Sequence, residues 1–191
     1  VGVGYFVADG QHLLTYLKES NLPVRCKLIK VANEKEALKI VTMLNSTSRN
    51  WGIKNFVDGW GNFNNDVKVL GELKKSFGLT YTTIGALLTN STISLAKKQI
   101  VSGEFKVADM QGAIERIQAI HNFYNKTECI RSQYATTGLI NFMGSIGIEK
   151  YIKNQDKFIK KVILGGGETI KTKTFGRKDD YIEFFSDCWN A

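Results

Sequence analysis

The sequence predicts an α+β protein in which a small N-terminal α/β unit precedes an all-helical part. Residues 3–45 alternate between strand-like and helix-like segments, which is the order of an α/β unit. After Trp51 the apolar residues recur at helical spacing. The only proline is Pro23, so later helices can continue without interruption. We expect the α/β unit to be truncated at its N-terminus, because the chain opens directly on a strand-like segment.

The α/β unit is expected to contain four elements. Asp9-Gly10 predicts a tight turn between the first strand and the first helix. Asn33 is placed to cap the second helix, with Glu36 at the capping-box position three residues later. By residue range, the expected elements are a strand at 3–8, a helix at 11–19, a strand at 24–31 and a helix at 34–45.

The rest of the chain is predicted to be mainly helical. The three consecutive glycines 165–167 are expected to form a flexible connection, followed by an irregular or weakly extended segment at 169–175. Residues 181–189 are either a last helix or an aromatic anchor. We divide the chain into an α/β domain at 1–50, a helical domain at 51–125 and a basic C-terminal region at 126–191. The expected helices are 53–60, 66–77, 82–89, 91–101, 108–124, 129–142 and 147–160.

The charge of the chain indicates a polyanionic partner. Lysine and arginine number 26 against 18 acidic residues, which gives a formal net charge of +8. Nine of the basic residues fall within 150–178. Nucleic acid is the usual partner of such a protein. No apolar run approaches the length of a membrane span, so we expect a cytoplasmic protein without a membrane partner. The three cysteines are widely separated, and their spacing predicts no metal site.

Residues 74–98 carry the pattern of a helix-turn-helix. A helix ends at Phe77-Gly78, a short helix with small residues at 85 and 86 follows, and Asn90-Ser91 turns the chain into another helix. The second helix presents short polar and basic groups suited to base edges and phosphates. A plain helical hairpin is the alternative interpretation. The predicted DNA contacts are Lys74, Lys75, Ser91, Thr92, Ser94, Lys97 and Lys98.

The segment Asp9-Gly10-Gln11-His12 runs into an apolar helix, then a break at Leu22-Pro23-Val24 and a second predicted strand. This order resembles the N-terminal domain of the ParB/sulfiredoxin-like superfamily. Residues 44–51 also resemble a segment of ParB-like proteins from phages and mobile elements. The resemblance implies a phosphate-binding box that takes CTP or ATP, lined here by Gly10, Gln11 and His12, with a helix-turn-helix after it. It further implies a DNA-binding protein of a bacterial chromosome, plasmid or phage, acting in partition, regulation or genome handling in the bacterial or phage-infected cell.

The box departs from the family pattern at one place. Leu13 and Leu14 stand where the family carries arginines, so the box lacks a cation that would clamp a phosphate. We therefore expect weak or absent binding of CTP and ATP. Two alternatives stay open: a ParB-like nuclease or CTP-dependent switch, with Asp9 and His12 as candidate catalytic residues and a divalent metal as cofactor, and a structural or scaffolding protein. A homodimer is also compatible with the family.

Overall fold

The computed structural model describes residues 7, 8, 10–20, 23, 25–48, 51–167, 169–172 and 174–191. The regular secondary structure of these residues is entirely helical and comprises eleven helices. Their bounds are α1 Gln11–Glu19, α2 Glu34–Ser48, α3 Ile53–Trp60, α4 Asn65–Phe77, α5 Tyr81–Leu88, α6 Ile93–Ser102, α7 Met110–Thr127, α8 Gln133–Ile146, α9 Ile148–Gly166, α10 Thr169–Thr172 and α11 Lys178–Asn190.

The prediction of an α+β fold is wrong for the part of the chain that the structure describes. Residues 25–31 of the second predicted strand are irregular, and Leu28 and Ile29 are 72% and 50% exposed. A strand needs a neighbour to pair its backbone and a core to cover its apolar face, and no described residue forms a strand beside this segment. Residues 3–6 of the first predicted strand lie outside the described residues. Val7 and Ala8, which are described, are not in a strand.

The C-terminal glycines also behave differently from the prediction. Helix α9 continues through Gly165 and Gly166, and the short α10 occupies part of the segment expected to be irregular. A Cβ atom at 166 would overlap the Ile170 side chain, and one at 165 would lie 3.4 Å from the Cys188 sulfur. These two glycines therefore permit close helix packing. The helix ends only at Gly167, which has a φ of +49°.

The predicted helices are present, and one predicted cap is confirmed in detail. The Asn33 side chain accepts a hydrogen bond from the Glu36 backbone N–H at 3.0 Å. The Glu36 carboxylate in turn accepts one from the Ala32 N–H at 2.6 Å. These reciprocal bonds satisfy backbone donors that would otherwise have no partner at the start of α2. The C-terminal residues 181–189 belong to helix α11.

One continuous hydrophobic core extends from Phe56 to Cys188. Helix α7 packs against α4 and α5 on one side and against α8 and α9 on the other. The C-terminal part of the core is aromatic, with Phe142 and Phe158 stacked at 5.1 Å between ring centroids. Aromatic pairs of this kind add stability beyond their burial. The largest fully buried side chains in the core include Trp60, Leu70, Ile84, Ile100, Phe105, Ile117, Phe123, Phe142, Tyr151, Phe158 and Phe185.

The N-terminal helices contribute less to this core. Helix α2 contacts α3, where Leu38 lies 3.3 Å from the position of a Cβ atom on Gly59. Helix α1 leaves Leu13 and Tyr16 60% and 63% exposed. Of the helices in the described ranges, none combines the length and the apolar character needed to cross a bilayer.

Candidate nucleic-acid interface

Helices α5 and α6 form a compact pair whose ends are fixed by local hydrogen bonds. Helix α4 ends at Gly78, whose φ of +69° favours glycine and whose N–H bonds to the Lys74 carbonyl at 3.0 Å. Thr80 then caps α5, because its hydroxyl accepts from the Thr83 N–H at 3.1 Å. The chain therefore turns sharply from α4 into α5 at a defined position.

The turn between α5 and α6 is equally well defined. Asn90 adopts a left-handed backbone conformation with a φ of 49°. Its N–H bonds to the Leu87 carbonyl at 3.3 Å, and the Ser91 N–H bonds to the Ala86 carbonyl at 2.9 Å. This pair of bonds is the Schellman arrangement, in which asparagine is an accepted substitute for glycine. Thr92 begins the next helix, because its hydroxyl accepts from the Leu95 N–H at 3.2 Å.

The two helices approach closely where they cross. A Cβ atom on Gly85 would lie 3.4 Å from the Ala96 Cβ and 3.3 Å from the Ile100 Cδ1. Ala96 and Ile100 are fully buried, as are Ile84 and Leu88 of α5. The close approach at 85 accords with the predicted use of small residues in this packing, since larger side chains would have to displace these neighbours. A rigid crossing of this kind fixes the direction in which α6 presents its outer face.

The far end of α6 is anchored to α3. The indole N–H of Trp60 donates to the Val101 carbonyl at 3.3 Å. Gly103 ends α6 with a φ of +74°, and a Cβ atom there would lie 2.6 Å from the Trp60 ring. The side-chain amide of Asn64 donates to the Phe105 carbonyl at 2.8 Å, which holds the following loop. Both ends of α6 are therefore fixed independently of any ligand.

The outer face of α6 is polar and basic. Ser94, Lys97 and Lys98, all predicted contacts, are exposed. Leu95 on the same face is 47% exposed and was not predicted. Its exposure could be predicted from the sequence. Ala96 and Ile100 are four residues apart and share one apolar face of the helix, and Leu95 lies off that face. The face thus combines two ammonium groups, one hydroxyl and one apolar side chain.

Two of the predicted contacts also have structural roles in the turn. The Thr92 hydroxyl accepts the capping hydrogen bond of α6, and the half-buried Ser91 hydroxyl lies 2.6 Å from the Thr89 hydroxyl. The Thr92 hydroxyl can still donate, whereas the Ser91 hydroxyl donates to Thr89, whose own proton goes to the Gly85 carbonyl at 2.9 Å, and can still accept. Both groups therefore keep capacity for a ligand, but a substitution at either position also disturbs the turn.

The remaining predicted contacts, Lys74 and Lys75, are not on this pair of helices. They lie in the last turn of α4, which packs against α5. Lys75 is exposed and Lys74 is half-buried. Their position suits the carboxyl end of a helix, where positive charge is favourable. The structure therefore unites five of the seven predicted residues at α6 and places the other two on a neighbouring helix.

A groove of about 850 Å³ separates the start of α6 from the C-terminal helices. Sequence reasoning missed it, because it depends on how distant helices pack. The Arg116 guanidinium in its wall bonds to Asp109 at 3.2 Å. Lys178, at the start of α11, is exposed and adds a second cation. The polar and charged lining comprises Asn90, Ser91, Thr92, Ser94, Arg116, Thr137, Asn141 and Lys178.

The N-terminal box can be placed only in part. Gly10 has a φ of +78°, and its carbonyl accepts from the Leu14 N–H at 2.9 Å as α1 begins. Asp9 lies outside the described residues, as do the side chains of Gln11 and His12. Leu13 and Leu14 project into solvent. The predicted nucleotide and catalytic roles of Asp9, Gly10, Gln11 and His12 thus remain predictions.

The described residues hold no evident acid, base or metal cluster. Within the described ranges, no three histidine, cysteine or acidic side chains come together as metal ligands. The His121 ring lies 3.2 Å from the Phe77 carbonyl and 2.8 Å from the Asn125 amide, so both of its nitrogens have structural partners. Burial raises the pKa of the Cys129 thiol to about 11, which makes it a poor nucleophile at neutral pH.

Comparison of the chain with protein-family models, with curated proteins and with solved structures gave no match.

Proposed function

We propose that the chain binds double-stranded DNA through α5 and α6, with α6 in the major groove. One observation carries the proposal: α6 is a short, capped helix held at a fixed crossing against Gly85, and its free face is polar and basic. This is the arrangement of a helix-turn-helix, in which the second helix contacts base edges near its N-terminus. The net charge of +8 favours the approach to a polyanion.

The exposed groups of α6 divide into two kinds of contact. Lys97 and Lys98 are point charges suited to phosphate oxygens, which position a protein on the duplex. Ser94, together with the hydroxyls of Ser91 and Thr92, suits base edges at the start of the helix. Leu95 suits the methyl group of thymine. We place Lys74 and Lys75 as further phosphate contacts at the end of α4.

The resemblance of the N-terminal segment extends the proposal to biological role. The order of Asp9-Gly10-Gln11-His12 followed by a helix-turn-helix supports a ParB-like protein that acts in partition, regulation or genome handling of a bacterial chromosome, plasmid or phage. Leu13 and Leu14 support the further proposal that the nucleotide box has lost its affinity for CTP and ATP.

A salt titration of the wild-type chain tests DNA binding directly. Fluorescence anisotropy of a labelled duplex, measured from about 50 to 200 mM salt, should show an affinity that falls linearly on logarithmic axes. Addition of CTP at millimolar concentration should leave the titration unchanged. Binding that does not depend on salt, or no binding at all, would contradict the proposal and favour a scaffolding role.

A further inference from the structure

Helix α9 carries a row of exposed lysines along its outer face. Lys150, Lys153, Lys157 and Lys160 follow one another at spacings of three, four and three residues. Side chains at these spacings share one face of a helix. We call these four residues the α9 lysine ridge.

The direction of the ridge is fixed by the core on the opposite face. Tyr151, Phe158 and Val162 of α9 are at most 1% exposed and pack into the aromatic core. Helix α9 contacts α7, α8 and α11 through this face. A helix that inserts into a membrane surface needs its apolar face free, and most of this one is covered, with Ile152, Ile163 and Leu164 left 44%, 38% and 84% exposed. The ridge therefore fits a polyanion better than a lipid surface.

The ridge forms no salt bridge with the described acidic residues, although the charge of Lys160 acts on the Asp156 carboxyl. Asp156, the acidic residue beside the ridge, pairs with Lys126 of α7 at 2.7 Å. The hydrogen bond and the charge of Lys126 lower the pKa of the Asp156 carboxyl, and the charge of Lys160 adds to this. Like charges three and four residues apart destabilise a helix. The four like charges therefore repel one another along one face, a repulsion that a polyanionic partner would relieve.

The ridge is long enough to reach more than one phosphate of a duplex. Its ends are ten residues apart, which corresponds to about 15 Å of helix. Because a DNA strand winds around the duplex axis, its phosphates lie farther apart than their axial rise of about 3.4 Å, and a ridge of this length reaches about two or three of them. The ridge also begins close to the candidate interface, because Ile148, the first residue of α9, lines the same groove as Thr92 and Ser94.

We infer that the α9 lysine ridge is a second DNA contact, which binds the phosphate backbone without regard to sequence. This inference rests on the proposed function of α5 and α6. It assigns sequence preference to α6 and a large part of the salt-dependent affinity to α9. Lysine suits this role, because its ammonium group is a rotatable point charge and does not impose the planar geometry of arginine.

The test compares three forms of the chain in the anisotropy titration. The ridge variant carries K150Q, K153Q, K157Q and K160Q. The control carries K18Q, K27Q, K35Q and K39Q, which remove the same charge from exposed positions in the N-terminal part. At about 0.9 per phosphate contact, with about three contacts at most, the ridge variant should flatten the log K against log salt slope by up to about 2.7. Its affinity should fall by the same factor for duplexes of different sequence.

The outcomes separate the two claims. Equal slopes for the ridge variant and the control, with wild-type binding intact, would overturn the inference and leave the proposed function standing. Absence of salt-dependent binding by the wild type would overturn both. Wild-type binding to phosphatidylserine vesicles but not to DNA would assign the ridge to a lipid surface. Two double variants, K150Q/K157Q and K153Q/K160Q, each expected to flatten the slope by up to about 1.8, serve if the fourfold variant does not fold.

Discussion

Gly85 of α5 and Ala96 of α6 meet at the crossing of the two helices, where a Cβ atom on residue 85 would lie 3.4 Å from the Ala96 Cβ. The Ile100 and Phe105 side chains close the same point, at 3.3 and 3.4 Å from that position. Little space remains for a larger group. The separation of the two helices, and with it the orientation of the α6 outer face, therefore depends on a small residue at 85.

Gly85→Val should destabilise the fold by about 1–3 kcal/mol, because the added methyl groups overpack a filled site. Gly144→Val is a matched control in α8, since nothing lies within 4 Å of a Cβ atom there. The control should change stability by less than about 0.5 kcal/mol. Urea unfolding followed by circular dichroism measures both. Equal effects of the two substitutions would show that the Gly85 crossing is not tightly packed.

Thr92→Ala should destabilise the chain by about 1 kcal/mol, because the first turn of α6 loses its cap. Thr92→Asn should recover most of that loss, since asparagine also caps helices well. Ser94→Ala is the neighbouring control, and its exposed side chain should contribute little to stability. Thermal unfolding of the three variants measures the effect. A Thr92→Ala variant as stable as the wild type would mean that this hydroxyl does not cap α6 in solution.

The buried Cys129 thiol should contribute a pH dependence to stability. Burial raises its pKa from 9.0 to about 11, so the folded chain favours the neutral thiol. The contribution is complete below about pH 9 and is lost as the pH rises towards 11. The difference in unfolding free energy between wild type and Cys129→Ala should therefore be smaller at pH 10 than at pH 8. A difference that is the same at pH 8 and pH 10 would contradict this account.

Local sequence patterns predicted the helices well, because their determinants lie within a few residues of one another. Helix α3 has the predicted bounds of 53–60, and Asn33 forms the expected cap with Glu36. The preference for a small residue at 85 could also be predicted from the sequence, since a short turn between two helices brings them close together.

The errors arose where structure depends on distant partners. Apolar and polar residues partly alternate over 25–31, as in a strand. A strand also needs a second strand to pair with its backbone, and no described segment supplies one. Gly165 and Gly166 gave the pattern of a flexible connection, whereas their actual neighbours, Cys188 and Ile170, come from later in the chain. The groove beside α6 was missed for the same reason, because Arg116 and Lys178 reach it only after the C-terminal helices have packed.

The central claim is that the outer face of α6 contacts DNA. The most direct test is the salt dependence of duplex binding by the K97Q/K98Q variant, with K35Q/K39Q on α2 as a control of equal charge at exposed positions. The account predicts that K97Q/K98Q weakens binding to all sequences and flattens the log K against log salt slope by up to about 1.8, while the control changes it little. Indistinguishable slopes for the two variants would contradict the assignment of α6 as the DNA-contacting helix.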